Sequence, residues 1–230
     1  MNIVVTGASQ GIGFEVVRKL LGNSEHNVFA LARNKKKLES LKKYSLGSTY
    51  TYYAFDLLKE NFKKELIPEI TRTLGKVDIL INNAGLLINK PFAELTNKDF
   101  DELFDTNVKS TFKLIRDLIP HFTKNAHIVN ISSMGGYQGS VKFPGLSLYS
   151  ASKGALGVLT ECIAEEFKDQ NIKANTLALG AVQTEMLSDA FPGYEAPVKA
   201  EEMARFIIDF AMKAHHYING KIIPVSLSTP

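Results

Sequence analysis

The sequence predicts an α/β fold in which a doubly wound parallel sheet of seven strands is covered by helices on both faces. Three observations predict it. Short apolar runs rich in β-branched residues alternate with segments of helical period, and no fixed-length repeat, low-complexity tract or linker interrupts them. At 230 residues and 45% hydrophobic content the chain can bury one large core. Strands that alternate with helices are joined by right-handed crossovers, which makes the sheet parallel and places a helical layer on each side. A single domain over 1–230 is expected.

The first strand is read over 2–6, from the β-branched run Ile3-Val4-Val5-Thr6. Gly7-Ala8-Ser9-Gln10-Gly11-Ile12-Gly13 breaks it, and Phe14, Val16, Val17, Leu20 and Leu21 then recur at helical spacing over 11–21. Further strands are read near 27–32, 50–55, 78–82, 126–131, 172–178 and 221–225. Helices fill 35–43, 60–74, 97–122, 149–169 and 200–213. In such a sheet, ligands bind outside the strands' carboxyl ends.

Composition removes several function classes. Net charge is +3 with Lys and Arg spread along the chain, so no nucleic-acid footprint is expected. The single cysteine, Cys162, cannot close an internal disulfide, and its place beside Leu159 and Ile163 predicts a reduced core residue. The histidines lack ligand spacing and His215-His216 reads as a solvated turn, so no metal is expected. Neither a signal peptide nor an apolar run of membrane-spanning length is read, which makes the cytoplasm the expected location and no membrane an expected partner.

The strand, glycine turn and opening helix around Gly7 to Gly13 suit a dinucleotide. Glycine permits close backbone approach, and the amides and dipole of a helix start favour a pyrophosphate. The spacing is G-x-x-x-G-x-G rather than the commoner G-x-G-x-x-G. Tyr149 and Lys153 are four apart in Tyr149-Ser150-Ala151-Ser152-Lys153, which stacks a phenol and an ammonium on one helical face. A fixed cation would pull a phenol pKa of about 10 toward neutrality and make an acid able to protonate a carbonyl oxygen. At the end of the second strand Ala32-Arg33 replaces the usual acid, and a guanidinium pairs with a ribose 2′-phosphate, so NADP(H) is expected over NAD(H). The same arginine would also suit the start of a solvated basic loop.

In order along the chain, Thr6 to Gly13, Asn82-Asn83-Ala84-Gly85 and Tyr149 to Lys153 resemble the cofactor signature, the fourth-strand signature and the Y-x-x-x-K of the classical short-chain dehydrogenase/reductase family. The resemblance covers nearly the whole chain and implies a Rossmann-like domain. By resemblance, Asn107, Ser133, Tyr149 and Lys153 form a catalytic tetrad. Ser133 would hydrogen-bond the substrate oxygen, with Ser132 the competing choice. Lys153 would depress the Tyr149 pKa and bond the nicotinamide ribose, and Asn107 would support Lys153 through a water relay. Without that pattern Asn107 would read as a helix-interior amide bonded to its own backbone. The resemblance further implies cofactor contacts from Gly7, Ser9, Gln10, Gly11, Ile12, Gly13, Arg33, Asp56, Leu57, Asn83, Ala84, Gly85, Tyr149, Lys153, Gly180, Val182 and Thr184. Asp56 would equally suit a helix cap.

The chain departs from the family in three places. Leu179-Gly180 stands for Pro-Gly after the sixth strand, which predicts a more mobile turn. Ser133 and Tyr149 are sixteen positions apart, so Gly135 to Gly145 should form an enlarged loop beside the substrate. The lid of about 186–199 is short and the chain stops at Pro230 without the V-D-G-G ending, which predicts an open site. Met134, Phe143, Leu146, Leu187, Phe191 and Tyr194 would line a pocket for a hydrophobic ketone or aldehyde, or simply pack the loops together. The expected function is an NADP(H)-dependent carbonyl reductase or alcohol dehydrogenase acting on a small molecule. The alternatives are a 3-oxoacyl-carrier-protein reductase and, outside enzymology, a non-catalytic NADP(H) sensor or scaffold. The apolar run Ala155, Leu156, Val158, Leu159, Cys162 and Ile163 exceeds one core-facing stripe, so a homodimer or homotetramer is expected.

Overall fold

The computed structural model describes residues 1–23, 25–58 and 61–227. Strands β1 (Asn2–Thr6), β2 (Asn27–Ala32) and β3 (Thr49–Ala54) alternate with helices α1 (Gly11–Leu20) and α2 (Lys35–Ser40). Helix α3 (Ile67–Leu74), strand β4 (Val77–Asn82), helices α4 (Asn97–Phe104) and α5 (Ser110–Leu118), strand β5 (Phe122–Ser133) and helix α6 (Ser147–Glu166) follow. The chain continues through β6 (Lys173–Leu179), β7 (Val182–Gln183), α7 (Glu185–Ala190), β8 (Val198–Lys199), α8 (Ala200–Lys213) and β9 (Ile222–Val225).

The main sheet has the order β3-β2-β1-β4-β5-β6-β9, every pairing parallel. Strand alternation divides its apolar residues between two cores. Ile3, Val5, Val28 and Ala30 join the α1 and α8 residues Val16, Val17, Ala204 and Ile207 on one face. Val4, Phe29, Leu31 and Leu80 meet Ile70 of α3, Leu114 and Leu118 of α5 and Ile163 of α6 on the other. This is the expected α/β architecture, with the order reversing between β1 and β4. At that reversal the loops leaving β1 and β4 run to opposite sides and leave a crevice.

A buried polar ladder fixes α6 on the sheet. Asn82 Nδ2 donates to Asn130 Oδ1 (2.8 Å), Asn130 Nδ2 donates to Thr160 Oγ1 (2.8 Å), and Thr176 Oγ1 reaches the same oxygen at 2.7 Å. Three strands and the helix carrying Tyr149 are thereby tied in one register. Breaking such a ladder would leave desolvated groups unpaired at about 1–3 kcal/mol each.

Several boundaries differ from expectation. The long helix expected over 97–122 is broken: a wide π turn, Asp105–Lys109, separates α4 from α5, and a 3-10 turn at Ile119–His121, containing Pro120, delivers the chain to β5. Residue 60, where the preceding helix was expected to start, lies outside the described residues; a π turn at Phe62–Leu66 leads into α3. Strands β7 and β8 pair in a separate two-stranded ribbon, and α7 lies between them in the expected lid. Cys162 is exposed rather than in the core, because the buried stripe of α6 runs through Leu156, Thr160, Ile163 and Ala164. His215 is not in a fully solvated turn: its ring stands 5.2 Å from that of the buried His127. Among the described residues no helix is long and apolar enough to cross a membrane.

Candidate active site

The turn after β1 is laced to the end of β4. Thr6 Oγ1 accepts from the backbone N–H groups of Asn83 (3.1 Å) and Ala84 (3.0 Å), while Asn83 Nδ2 donates back to the carbonyls of Thr6 (3.2 Å) and Gly7 (3.3 Å). Only glycine fits here. Gly7 has φ +67° and a Cβ on it would stand 2.8 Å from Ala84 Cα; one on Gly13 would stand 2.4 Å from the Gly7 carbonyl oxygen. Gln10 caps α1 without a side-chain hydrogen bond, so its side chain leaves the first amides of the helix unbonded.

A cleft of about 860 Å³ lies over these strand ends. Its walls contain Gly7, Ser9, Gln10, Gly11 and Ile12 of the glycine turn; Arg33, Asp56 and Leu57 after β2 and β3; Asn83, Ala84 and Gly85 after β4; and Gly180, Val182 and Thr184 after β6. Gly13 and Asn107 stand behind the walls rather than in them. The far end is lined by Met134, Phe143, Leu146, Leu187, Phe191 and Tyr194. Sequence reading missed Phe55, Leu86, Leu87, Glu102, Thr106 and Ser226. Leu86 and Leu87 directly follow the Asn82 to Gly85 motif, and Glu102 and Thr106 are one helical turn apart before Asn107; those were the available signals. Asp56 Oδ1 accepts from Leu58 N (3.1 Å), forming a local turn rather than a helix cap.

Ser133, Tyr149 and Lys153 meet at the middle of the cleft. Strand alternation separates the two serines: Ser132 Oγ donates to the Lys153 carbonyl (2.8 Å), docking β5 on α6, whereas Ser133 Oγ accepts from Gly135 N (3.2 Å) and acts on the Tyr149 phenol to lower its pKa. Lys153 Nζ donates to the Ile131 carbonyl (2.9 Å) and stands 5.9 Å from the centre of the Tyr149 ring. Asn107, held in the π turn, does not bond its own helix. Its Nδ2 donates to the Leu86 carbonyl (2.9 Å) and to Ser152 Oγ (2.9 Å), and its Oδ1 accepts from Leu86 N (2.7 Å). It thus clamps the loop after β4 against the helix of Lys153.

The electrostatics differ from expectation in one respect. Burial pushes the Tyr149 phenol up, and the neighbouring Ser133 hydroxyl only partly pulls it down. Burial also lowers Lys153, to about 8. Desolvation therefore outweighs the attraction expected between the two groups: the Tyr149 phenol stays protonated at neutral pH, and the Lys153 ammonium, though easier to deprotonate, still predominates there.

The mouth is less open than the short lid suggested. Asn89 Nδ2 donates to the Ala190 carbonyl (2.9 Å), and Lys90 N donates to the Gly145 carbonyl (2.9 Å), so the loop after β4 holds both the enlarged loop and the end of α7. Gly180 N donates to the Val225 carbonyl (2.8 Å), which ties the turn after Leu179 to the end of β9. Nearer the glycine turn, Lys37 Nζ reaches Glu185 at 3.3 Å and joins α2 to α7.

Comparison with known proteins agrees with this geometry. The family model described as short chain dehydrogenase matches residues 1–195. The chain is 28% identical to a 3-oxoacyl-[acyl-carrier-protein] reductase of Thermotoga maritima, covering 96% of this chain and 94% of that one. It is 30% identical to the gluconate 5-dehydrogenase of Gluconobacter oxydans, over 96% and 91%. Among solved structures, an NADPH-bound short chain oxidoreductase of Pseudomonas aeruginosa superposes with a TM-score of 0.88 at 26% identity, over 100% of this chain and 97% of that one. A 3-ketoacyl-(acyl-carrier-protein) reductase of Brucella melitensis complexed with NADH gives 0.84 at 26% identity, over 98% and 96%. A glycine turn and a serine, tyrosine and lysine placed along one cleft, together with these matches, show that the chain belongs to the short-chain dehydrogenase family of oxidoreductases.

Proposed function

We propose that this oxidoreductase reduces the carbonyl of a small hydrophobic ketone or aldehyde, or oxidises the corresponding alcohol, with NADP(H) as its preferred cofactor. The observation that carries the reading is the convergence of Ser133, Tyr149 and Lys153 between a dinucleotide-sized groove and an apolar pocket. Gly7 and Gly13 let the turn pack directly on Asn83 and Ala84, where a Cβ would clash, and this sets the start of α1 at the groove, where its amides would hold a pyrophosphate. Thr184 and Val182 flank the groove opposite, and Gly85 lies beside Lys153. When bound, the nicotinamide supplies or accepts the hydride.

The chain's own groups handle the proton. With its pKa raised, Tyr149 holds its proton at neutral pH and can donate it to the carbonyl oxygen as charge develops there. Ser133 donates a hydrogen bond to the same oxygen. The phenolate left behind is costly in a buried site, and the Lys153 ammonium beside it offsets that cost. Asn107 keeps Lys153 in place through Leu86 and Ser152.

Arg33 supports the NADP(H) preference: it is exposed at the cleft rim next to Ala32, where an acid would repel a 2′-phosphate. Residues 186–199 serve as the substrate lid. A small carbonyl compound is favoured over a carrier-bound acyl group because the lysines nearest the mouth are engaged: Lys90 pairs with Asp99 at 2.9 Å and Lys142 folds onto the Tyr137 carbonyl at 2.6 Å. The exposed apolar residues Phe100, Phe112 and Val158 on α4, α5 and α6 support a homodimer or homotetramer in the cytoplasm. NADPH oxidation should be followed against a panel of ketones, aldehydes, quinones and acyl thioesters. Turnover is expected with apolar ketones or aldehydes; a silent panel with NADPH still bound would replace the reductase by a sensor.

A further inference from the structure

The apolar end of the cleft does not stop at Tyr194. A second groove of about 260 Å³ lies beyond it, bounded by Met203 and Phe206 of α8, Val198 of β8, Val225 of β9, Pro197 and Leu227. Gly180, Ala181, Tyr194 and Ser226 form walls of both cavities, so the groove adjoins, across these residues, the pocket that contains Leu187 and Phe191. Among the described residues the one acid in its walls, Glu202, is turned to the backbone N–H of Lys199 (3.0 Å) as a helix cap. Its mouth is apolar and exposed, Phe206 by 41% and Leu227 by 77%. Tyr194 stands at the boundary between the cavities with 49% of its surface exposed.

We propose that this groove binds the alkyl tail of the substrate. The occupant is a ketone or aldehyde with an unbranched chain: the carbonyl lies at Ser133 and Tyr149, and the chain passes Tyr194 and runs between α8 and the β7–β8 ribbon. The assignment rests on the carbonyl reduction proposed above and adds the chain that the carbonyl carries. Apolar walls whose Glu202 carboxylate is engaged favour methylenes and disfavour a charged or hydroxylated tail.

A series of methyl ketones from pentanone to pentadecanone tests it, with wild type and the surface variants Leu227→Asp and Phe206→Ser. In wild type each added methylene should raise kcat/KM by about two- to fourfold until the groove is filled, after which the values level off. Both variants should keep pentanone turnover and lose most of the rise. Calorimetric titration with decanol, which needs no chemistry, should show binding to wild type and weaker binding to Leu227→Asp. A flat series with active pentanone, or a rise untouched by both substitutions, overturns the groove and leaves the reductase reading standing. If no ketone turns over, the reductase reading fails, and decanol decides the groove alone. If the two variants dissociate an oligomer and leave the series unchanged, the groove belongs to a second copy of the chain and the proposal falls.

Discussion

Burial acts on Tyr149 and Lys153 in opposite senses, raising the phenol and lowering the ammonium, and that pairing suits proton donation better than a permanently ionised tyrosine would. A phenolate cannot protonate anything. The four-residue spacing made both side chains legible in the sequence, since helical periodicity stacks them whatever else the fold does. The direction of the tyrosine's shift was not legible, because it depends on desolvation by residues brought in from β5 and the loops. Ser132 and Ser133 were distinguishable in principle by strand alternation, and the bond of Ser132 to the Lys153 carbonyl shows which way each points. Arg33 is an exposed side chain at the rim, so its effect on a cofactor should be a direct one. Arg33→Ala should weaken NADPH about ten- to a hundredfold, the scale of one or two charge-assisted hydrogen bonds, and change NADH by less than about twofold. Fluorescence titration with both nucleotides checks this; equal losses would remove the phosphate role.

The elements that position the site are partly irregular, and irregularity is what the sequence concealed. The π turn of Asp105–Lys109 widens the helix at Asn107, letting the amide leave its own backbone and clamp Leu86 to Ser152. Helical periodicity continues on both sides of such a turn, so an unbroken helix was read. Strands β7 and β8 have two residues each and therefore no alternation to detect. Strand β5 begins four residues early because Phe122 pairs with Val77 across an irregularity in the β4–β5 register. By contrast β1, the glycine turn and α1 were legible together, since the β-branched run, the glycines and the apolar spacing all specify the same strand–turn–helix unit. The enlarged loop was legible as an insertion but not as a mouth, because its bond to Lys90 and that of Asn89 to Ala190 join segments far apart in the chain.

At the scale of the molecule, alternating elements sufficed to specify a parallel sheet with two helical layers, and the reversal between β1 and β4 locates the crevice. Buried polar pairs were not legible. His127 lies in the sheet with Nδ1 against the Ala211 carbonyl (2.8 Å) and Nε2 accepting from Asn175 Nδ2 (3.0 Å), an arrangement that only the neutral imidazole satisfies. Burial lowers its pKa to about 4, with His215 and His216 adding positive charge nearby. The unfolded chain therefore binds this proton from about pH 6.5 downward while the folded chain refuses it until about pH 4. Stability is lost across that window, by about 2 kcal/mol between pH 7 and 4.5 from this group. Chemical denaturation across that range should show a shallower acid loss for His127→Gln than for wild type; parallel curves would contradict the assignment.

Tyr149→Phe tests, with the least disturbance, the proposal that the Tyr149 hydroxyl delivers the proton. Single-turnover measurement of NADPH oxidation with a reactive ketone, beside titration of NADPH itself, separates chemistry from binding. The variant is expected to bind NADPH within about twofold of wild type and to lose at least ~100-fold in rate, the lower range for removing a general acid. A variant that turns over at the wild-type rate would show that another group delivers the proton.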